Sequence, residues 1–271
     1  MIFCSELALE NKECQQDTEK KMATRTLDHR KEAILKSIVG EYIRTAEPIG
    51  SKAIAEREGL GVSPATIRNE MAVLEELGYI GQPHTSAGRI PTDKGYRFYV
   101  DSFQDAIELS EEEQKRVMEA LANIRKKEIE DIIRGILPML SYLTCYVSLV
   151  LGPPAKRHAY FWGLHQLLHQ PEFGDVHKVE YLLELLEHEY RLSELLMEDI
   201  GDMQVHVRIG SENKHRELNG MSLVMAQYAD DKEPLGTIGI LGPTRMDYEN
   251  AIPMVGFTAR RLSRMMSGIS D

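Results

Sequence analysis

The chain has 271 residues, of which 42% are hydrophobic and 28% charged, and this composition predicts a folded protein with two or three structural units. Its formal net charge of −11 argues against a broadly cationic nucleic-acid coat. Because its three cysteines show no paired spacing and no apolar run approaches the roughly 18 residues of a spanning helix, we expect neither a disulfide framework nor a membrane protein, but a cytoplasmic one.

The acidic charge is distributed unevenly along the chain. Residues 1–24 carry three basic and five acidic side chains, residues 25–100 carry eleven and ten, and residues 101–271 carry eighteen and twenty-eight. Only the second segment escapes a net negative charge. This pattern suits a modest nucleic-acid contact attached to an acidic body, with affinity resting on a few placed groups and on dimerisation.

Residues 1–24 are polar and acidic, and we predict a flexible extension in which Met22 is an alternative start to Met1. A first helix is predicted from Leu27, because apolar residues recur on one face. A second helix is predicted from Ser51 to Arg57, with Ser51 as its cap.

The pair Ser63-Pro64 predicts the start of the next helix, since Ser caps free N–H groups and Pro needs no N–H at the first helical position. Apolar residues follow at spacings of three and four, and Gly78 is a natural stop. The opposite face carries short or hydrogen-bonding side chains that can approach base edges. These candidate DNA-binding residues are Ser63, Ala65, Thr66, Arg68 and Asn69.

The next residues have the pattern of short strand, turn-rich loop and short strand, which predicts a wing. The order helix, turn, helix, hairpin therefore predicts a winged helix-turn-helix in residues 25–104. At the wing we expect DNA contacts from His84, Thr85, Ser86 and from Arg89, which we place at the wing tip. Lys94 and Arg97, in a helix capped by Thr92, are candidates for phosphate contacts.

The alternative to each of these assignments is an ordinary structural role. The reading helix alone has the pattern of any capped amphipathic surface helix. For Arg68, that alternative is a surface ion pair with Glu75. For Thr85 and Ser86 it is the common use of hydroxyl residues in turns.

Residues 30–103 closely resemble the DNA-binding domain of the HrcA family of heat-inducible transcription repressors. The stretches EYIRTAEPIGSKAIAE and GLGVSPATIRNEMAVLEELGYIGQPHTSAGRIPTDKGYRFYVD follow the family pattern almost unbroken, and GLHQLLHQPEF and IGILGPTRMDYENAIPMV are also similar to it. The resemblance implies a bacterial repressor that binds, as a homodimer, an inverted-repeat operator on double-stranded DNA upstream of chaperone operons. It also implies the chaperonin GroEL as a candidate partner.

The rest of the chain, residues 105–271, is predicted to be a helical dimerisation segment followed by a shortened GAF-like α+β part. The resemblance implies a long middle segment that this chain lacks near residues 152–156. Residues 141–151 fit either a strand or the end of a buried helix. We predict a helix from Leu109 to about Arg134, and further elements at 178–197 (helix), 205–209 (strand), 223–228 and 235–241 (hairpin) and 246–266 (helix).

We predict no cofactor and no catalytic activity. His165 and His169 stand four residues apart with Glu172 nearby, but a structural metal site usually needs four compactly spaced ligands. No nucleophile elbow, Walker loop or zinc-protease motif is present, and Cys145 lies among apolar residues. The main alternative function is a ligand- or chaperone-binding protein that lost operator control with its middle segment; an enzyme is the weakest.

Overall fold

The computed structural model describes residues 27–56, 61–84, 87–103, 107–124, 128–154, 158–174, 176–197, 204–230 and 233–267. The chain divides into two compact units, the first ending at Tyr99 and the second beginning at Val100. The predicted extension 1–24, the predicted boundary after residue 104, and Thr85 and Ser86 lie outside the described residues.

The first unit has the predicted order of helix, helix, helix, hairpin and helix. Asp28 caps the N-terminus of α1, because its carboxylate accepts a 2.9 Å hydrogen bond from the backbone N–H of Lys31. The elements are α1 (His29–Thr45), α2 (Ser51–Ala55), α3 (Pro64–Glu76), β1 (Ile80–Gly81), β2 (Ile90–Pro91) and α4 (Asp93–Asp101).

A small core holds these elements together. Ile38 of α1, Ile54 of α2 and Ile67 of α3 are fully buried, so each of the three helices contributes one apolar face. β1 and β2 form an antiparallel pair. The predicted winged helix-turn-helix is confirmed, although α2 is capped by Gly50, with Ser51 its first residue.

The second unit is α+β, as predicted, but its element boundaries differ in places. The single helix expected to reach Arg134 is two helices, and so is the helix expected over 178–197. A short strand at 159–162 was not predicted. The elements are α5 (Glu111–Ala122), α6 (Ile129–Thr144), β3 (Val147–Leu151), β4 (Ala159–Trp162), α7 (Leu164–Leu168), α8 (Val176–Glu187), α9 (Glu189–Met197), β5 (Val205–Ile209), β6 (Met221–Asp230), β7 (Glu233–Pro243) and α10 (Tyr248–Ser267).

The described strands of this unit form one antiparallel sheet in the order β4-β3-β7-β6-β5. Alternate residues of β3 face opposite sides: Leu149 and Leu151 join a core with buried leucines of α8 and α9, whereas Ser148 donates a 2.7 Å hydrogen bond to the Leu137 carbonyl of α6. On the same side as α6, the hydroxyl of Ser222 in β6 lies 2.6 Å from that of Tyr248 in α10. The sheet is therefore covered on both faces.

No helix in the described part of the chain is both long and apolar enough to cross a membrane.

Candidate nucleic-acid interface

The N-terminus of α3 is capped as its sequence predicts. The Ser63 hydroxyl accepts a 3.1 Å hydrogen bond from the Thr66 backbone N–H and lies 3.0 Å from the Thr66 hydroxyl. No acidic residue occupies the first turn. The partial positive charge of this helix end is therefore not offset locally, which favours an anionic ligand such as a DNA phosphate.

The outward face of α3 presents the predicted reading residues to solvent. Ala65, Arg68 and Asn69 are exposed, whereas Ile67 and Met71 point into the core. The side chains of Arg68 and Asn69 make no hydrogen bond or ion pair with any residue that the structure describes. Glu75, the partner considered for Arg68, pairs instead with Arg89. Both polar side chains thus remain available to a ligand.

Ion pairs on two sides hold α3 in place between its neighbours. On one side Glu70 lies 3.2 Å from the ammonium of Lys31 and 3.7 Å from the guanidinium of Arg30, both in α1. On the other side Glu75 lies 2.8 Å from the guanidinium of Arg89. These contacts fix the helix orientation and neutralise two carboxylates that would otherwise repel phosphates.

Arg89 lies at the base of the wing, and its predicted position at the wing tip is wrong. Its backbone forms an antiparallel bridge with Ile49, with hydrogen bonds of 2.8 and 2.9 Å, and its side chain is only 21% exposed. Gly88 allows this approach, since a Cβ there would lie 2.6 Å from the Ile49 backbone. A role for Arg89 on DNA stays a prediction.

The loop of the wing extends beyond this bridge. Gln82 donates a 3.0 Å hydrogen bond from its side-chain amide to the Ala87 carbonyl, which joins the two ends of the loop. His84 is exposed, as a DNA-contacting residue must be. Of the predicted wing contacts, His84 and Arg89 can be placed in the structure.

A groove of about 490 Å³ separates the wing from α3 and the start of α2. Arg68, Gln82 and Arg89 line it, together with the exposed Lys52 of α2. Lys52 and Gln82 were missed by the sequence reasoning. Its position in the sequence could have indicated Lys52 as a candidate, because it is the second residue of α2, the helix that precedes α3.

Lys94 lies at the opposite end of α3. Its ammonium donates a 2.8 Å hydrogen bond to the Leu77 carbonyl and stands 4.3 Å from the centre of the Tyr79 ring. At a rise of about 1.5 Å per residue, Leu77 is about 18 Å along the helix axis from Ala65. The structure therefore separates Lys94 from the reading end, and Arg97, in the same helix α4, is partly buried.

The histidine pair of the second unit does not form a ligand cluster. His165 lies in α7, and Glu172 pairs with the guanidinium of Arg245. Among the residues that the structure describes, no group of three or more His, Cys, Asp or Glu side chains could hold a metal ion.

Two family models match the chain. Residues 26–102 match the model described as winged helix-turn-helix transcription repressor, HrcA DNA-binding, and residues 108–252 match the HrcA protein C terminal domain. The first match spans the elements that carry the candidate interface.

Curated proteins give the same result over nearly the whole chain. A heat-inducible transcription repressor HrcA of Pelotomaculum thermopropionicum is 33% identical over 342 residues, covering 90% of this chain and 98% of the relative. Its counterpart in Desulforudis audaxviator is 33% identical, covering 89% and 98%. Since the first alignment is longer than the 271 residues of this chain, at least 71 of its positions have no counterpart here.

A solved structure shares the fold. The crystal structure of a hypothetical protein superimposes with a TM-score of 0.75 at 22% identity, covering 90% of this chain and all of the other. At this identity the likeness concerns architecture alone.

Proposed function

The chain belongs to the HrcA family of heat-inducible transcription repressors, and on that premise we propose that it acts in the cytoplasm as a homodimer on an inverted-repeat operator upstream of chaperone operons. Its membership makes it a DNA-binding repressor and not an enzyme. The operator, the dimer and the residues that read DNA are the proposed part.

The observation that carries the proposal is the polar face at the start of α3, whose side chains Arg68 and Asn69 make no hydrogen bond or ion pair within the described chain. Arg68 and Asn69 are exposed and unpaired within the described chain, beside a capped helix N-terminus without acidic residues. Arg can contact guanine through two hydrogen bonds and Asn can contact adenine in the same manner. Thr66 is a weaker candidate because its hydroxyl lies within hydrogen-bonding distance of Ser63.

A dimer follows from the small contact area. One winged helix with near-balanced charge offers few phosphate contacts, whereas two-fold related copies read both halves of an inverted repeat. We assign Ser63, Ala65, Thr85, Ser86, His84 and Arg89 to the surrounding contacts, and Lys94 and Arg97 to the periphery.

The experiment is a gel shift of the purified chain with an inverted-repeat duplex from a chaperone operon and with a scrambled duplex of equal length. We expect specific retention of the first at a stoichiometry of two chains per duplex, and a dimer in light scattering at micromolar concentration. Equal affinity for both duplexes would favour the interaction protein without operator control.

We also propose that GroEL keeps this repressor in its DNA-binding form. Leu168 and Met197 of the second unit, which are 60% and 49% exposed, are the kind of apolar side chains that a chaperonin binds. Adding purified GroEL should raise the fraction of chain that binds the inverted repeat. No change in that active fraction would remove GroEL from the proposal.

A further inference from the structure

β4 forms one edge of the sheet, and no described strand pairs with its outer side. Its four residues, Ala159–Trp162, include no charge and no proline, the residues with which proteins usually protect exposed edges. The strand at the opposite edge, β5, carries His206 and Arg208. Of the two edges of the described sheet, the β4 edge therefore has the composition of a strand that accepts another strand.

Aromatic side chains surround this edge. Phe161 is 37% exposed and Trp162, the single tryptophan of the sequence, is 53% exposed. A groove of about 400 Å³ lies between these residues and Arg134 and Leu137 of α6. Exposed aromatic groups of this kind are enriched in protein interfaces.

The end of the strand is fixed in place. Gly163, which follows β4, has φ +89°, and a Cβ there would collide with the Ser141 hydroxyl of α6. Tyr142, the next residue of α6, is 78% exposed. The close approach of Gly163 to α6 therefore fixes where the strand ends.

The direction of the backbone groups of β4 follows from its pairing with β3. The Gly152 N–H donates a 2.9 Å hydrogen bond to the His158 carbonyl, and the register continues to Leu149 opposite Phe161. Because hydrogen-bonded and non-hydrogen-bonded positions alternate in an antiparallel pair, Ala159 and Phe161 direct their N–H and C=O groups outward. The edge offers two donors and two acceptors.

We propose that this edge pairs antiparallel with β4 of a second copy of the chain, about a two-fold axis at Tyr160. In that register Ala159 of one copy lies opposite Phe161 of the other, and all four outward backbone groups of each copy are used. Tyr160 faces its counterpart at a non-hydrogen-bonded position, where Cα atoms are about 4.5 Å apart. The inference rests on the proposed function, since a two-fold dimer is what an inverted repeat requires.

A cysteine at the two-fold axis tests the register directly. In a chain with Cys4, Cys14 and Cys145 replaced by Ser, Tyr160→Cys should form a covalent dimer on mild oxidation, because the expected Cα separation of about 4.5 Å is within disulfide range. Tyr190→Cys, at a 79% exposed tyrosine of α9, is the matched control and should stay monomeric on a non-reducing gel. Failure of Tyr160→Cys to cross-link would overturn the proposal.

A charge at the edge tests its contribution to assembly. Phe161→Lys should weaken self-association about tenfold or more in sedimentation equilibrium, since the two-fold axis places the change in both copies. Met118→Lys, on α5 of the predicted dimerisation segment, should leave it unchanged. Dissociation by Met118→Lys with a stable Phe161→Lys dimer would place the interface on α5 instead. Circular dichroism melting curves of both variants should match that of the wild type, which checks that they are folded.

The result of the cross-linking experiment can be distinguished from the result of the test of the proposed function. If the chain binds the inverted repeat as two copies but Tyr160→Cys does not cross-link, the edge is wrong and the function stands. If Tyr160→Cys cross-links but the wild-type chain does not distinguish the repeat from scrambled DNA, the edge stands and the function is wrong.

Discussion

Arg68 and Arg89, which both line the groove, differ in their contacts with the folded chain and in their exposure. The guanidinium of Arg89 is held by Glu75 and is mostly buried, whereas that of Arg68 is exposed and makes no contact with the described chain. Both were predicted from sequence to contact DNA. Their surroundings favour the proposed contact with a base edge for Arg68 and a proposed phosphate contact for Arg89.

Arg68→Ala should abolish discrimination between DNA sequences. If its guanidinium contacts a base edge, the variant loses about 1–3 kcal/mol per half-site on the operator and much less on scrambled duplex. The measurement is affinity for both duplexes over a range of salt concentrations. Equal losses would remove Arg68 from base readout and leave Asn69 as the main candidate.

Arg89→Ala should weaken binding to operator and scrambled DNA alike and lower the salt slope by about one unit per subunit, as loss of one phosphate contact does. Glu75→Gln is the matched variant, because it removes the partner carboxylate and keeps the guanidinium. Its salt slope should not fall. An unchanged slope in Arg89→Ala would leave Arg89 a purely structural link between wing and helix.

At the scale of elements, α3 shows how much local sequence can determine. The Ser63 cap, the proline at the first position and the apolar spacing predicted its start to the residue. Its three ion pairs could not be predicted, because Glu70 and Glu75 find their partners in α1 and beside β2, at positions that only the tertiary fold brings near. The same holds for the groove residues Lys52 and Gln82.

Ser63 can be used to separate helix stability from DNA binding. Ser63→Ala removes the cap and should lower the free energy of unfolding by about 1 kcal/mol. Ser63→Asp keeps a good cap but places a negative charge where a phosphate is expected, so it should retain stability and lose affinity. Urea unfolding and gel shifts of both variants give the comparison. Full DNA affinity in Ser63→Asp would show that this helix end does not approach the backbone of DNA.

The second unit offers a test of pH dependence. Arg191 of α9 donates a hydrogen bond to Glu217 and thereby lowers the pKa of that carboxyl below its usual range. Since the folded-state pKa is the lower one, the pair stabilises the fold above the unfolded pKa and loses that effect as the pH falls through the folded pKa. Glu217→Gln should cost about 0.5 kcal/mol at neutral pH. The difference from wild type should disappear in acid unfolding curves once the pH falls below the folded-state pKa of Glu217; a difference that stays constant with pH would contradict the assignment.

Strand β4 shows where sequence patterns fail in this unit. The strand 205–209 was predicted with its observed bounds, and the 223–241 hairpin within two residues at each end. The four residues of β4 are too few for an alternating pattern, and their strand conformation depends on pairing with β3. The ends of α5 at Ala122 and of α8 at Glu187 were likewise not predicted.

At the scale of the whole molecule, charge and length both indicate a nearly neutral N-terminal unit followed by an acidic, shortened second unit. The acidic residues concentrate in 101–271 and the candidate DNA-binding residues in a nearly balanced segment. The chain lacks at least 71 positions of its relatives, yet its sheet is covered on both faces. The shortened part is therefore a folded unit.

A two-fold dimer should be sensitive to the spacing of the operator. Half-sites one helical turn apart, about 10–10.5 base pairs, face the same side of DNA. Insertion of about five base pairs should reduce affinity towards that of a single half-site, and insertion of about ten should restore the facing. Equal affinity at all spacings, measured by fluorescence anisotropy, would mean that the copies bind independently.

The bridge between Ile49 and Arg89 helps to anchor the wing loop, so that its sequence can be changed independently of the rest of the unit. Both ends of the loop are tied down, one by the Gln82 amide and the other by the close approach at Gly88. We therefore expect that the loop between Gln82 and Ala87 can be exchanged for other loops without moving α3, the proposed reading helix. Under the proposed roles, an engineer can vary the wing loop and the sequence specificity of α3 separately.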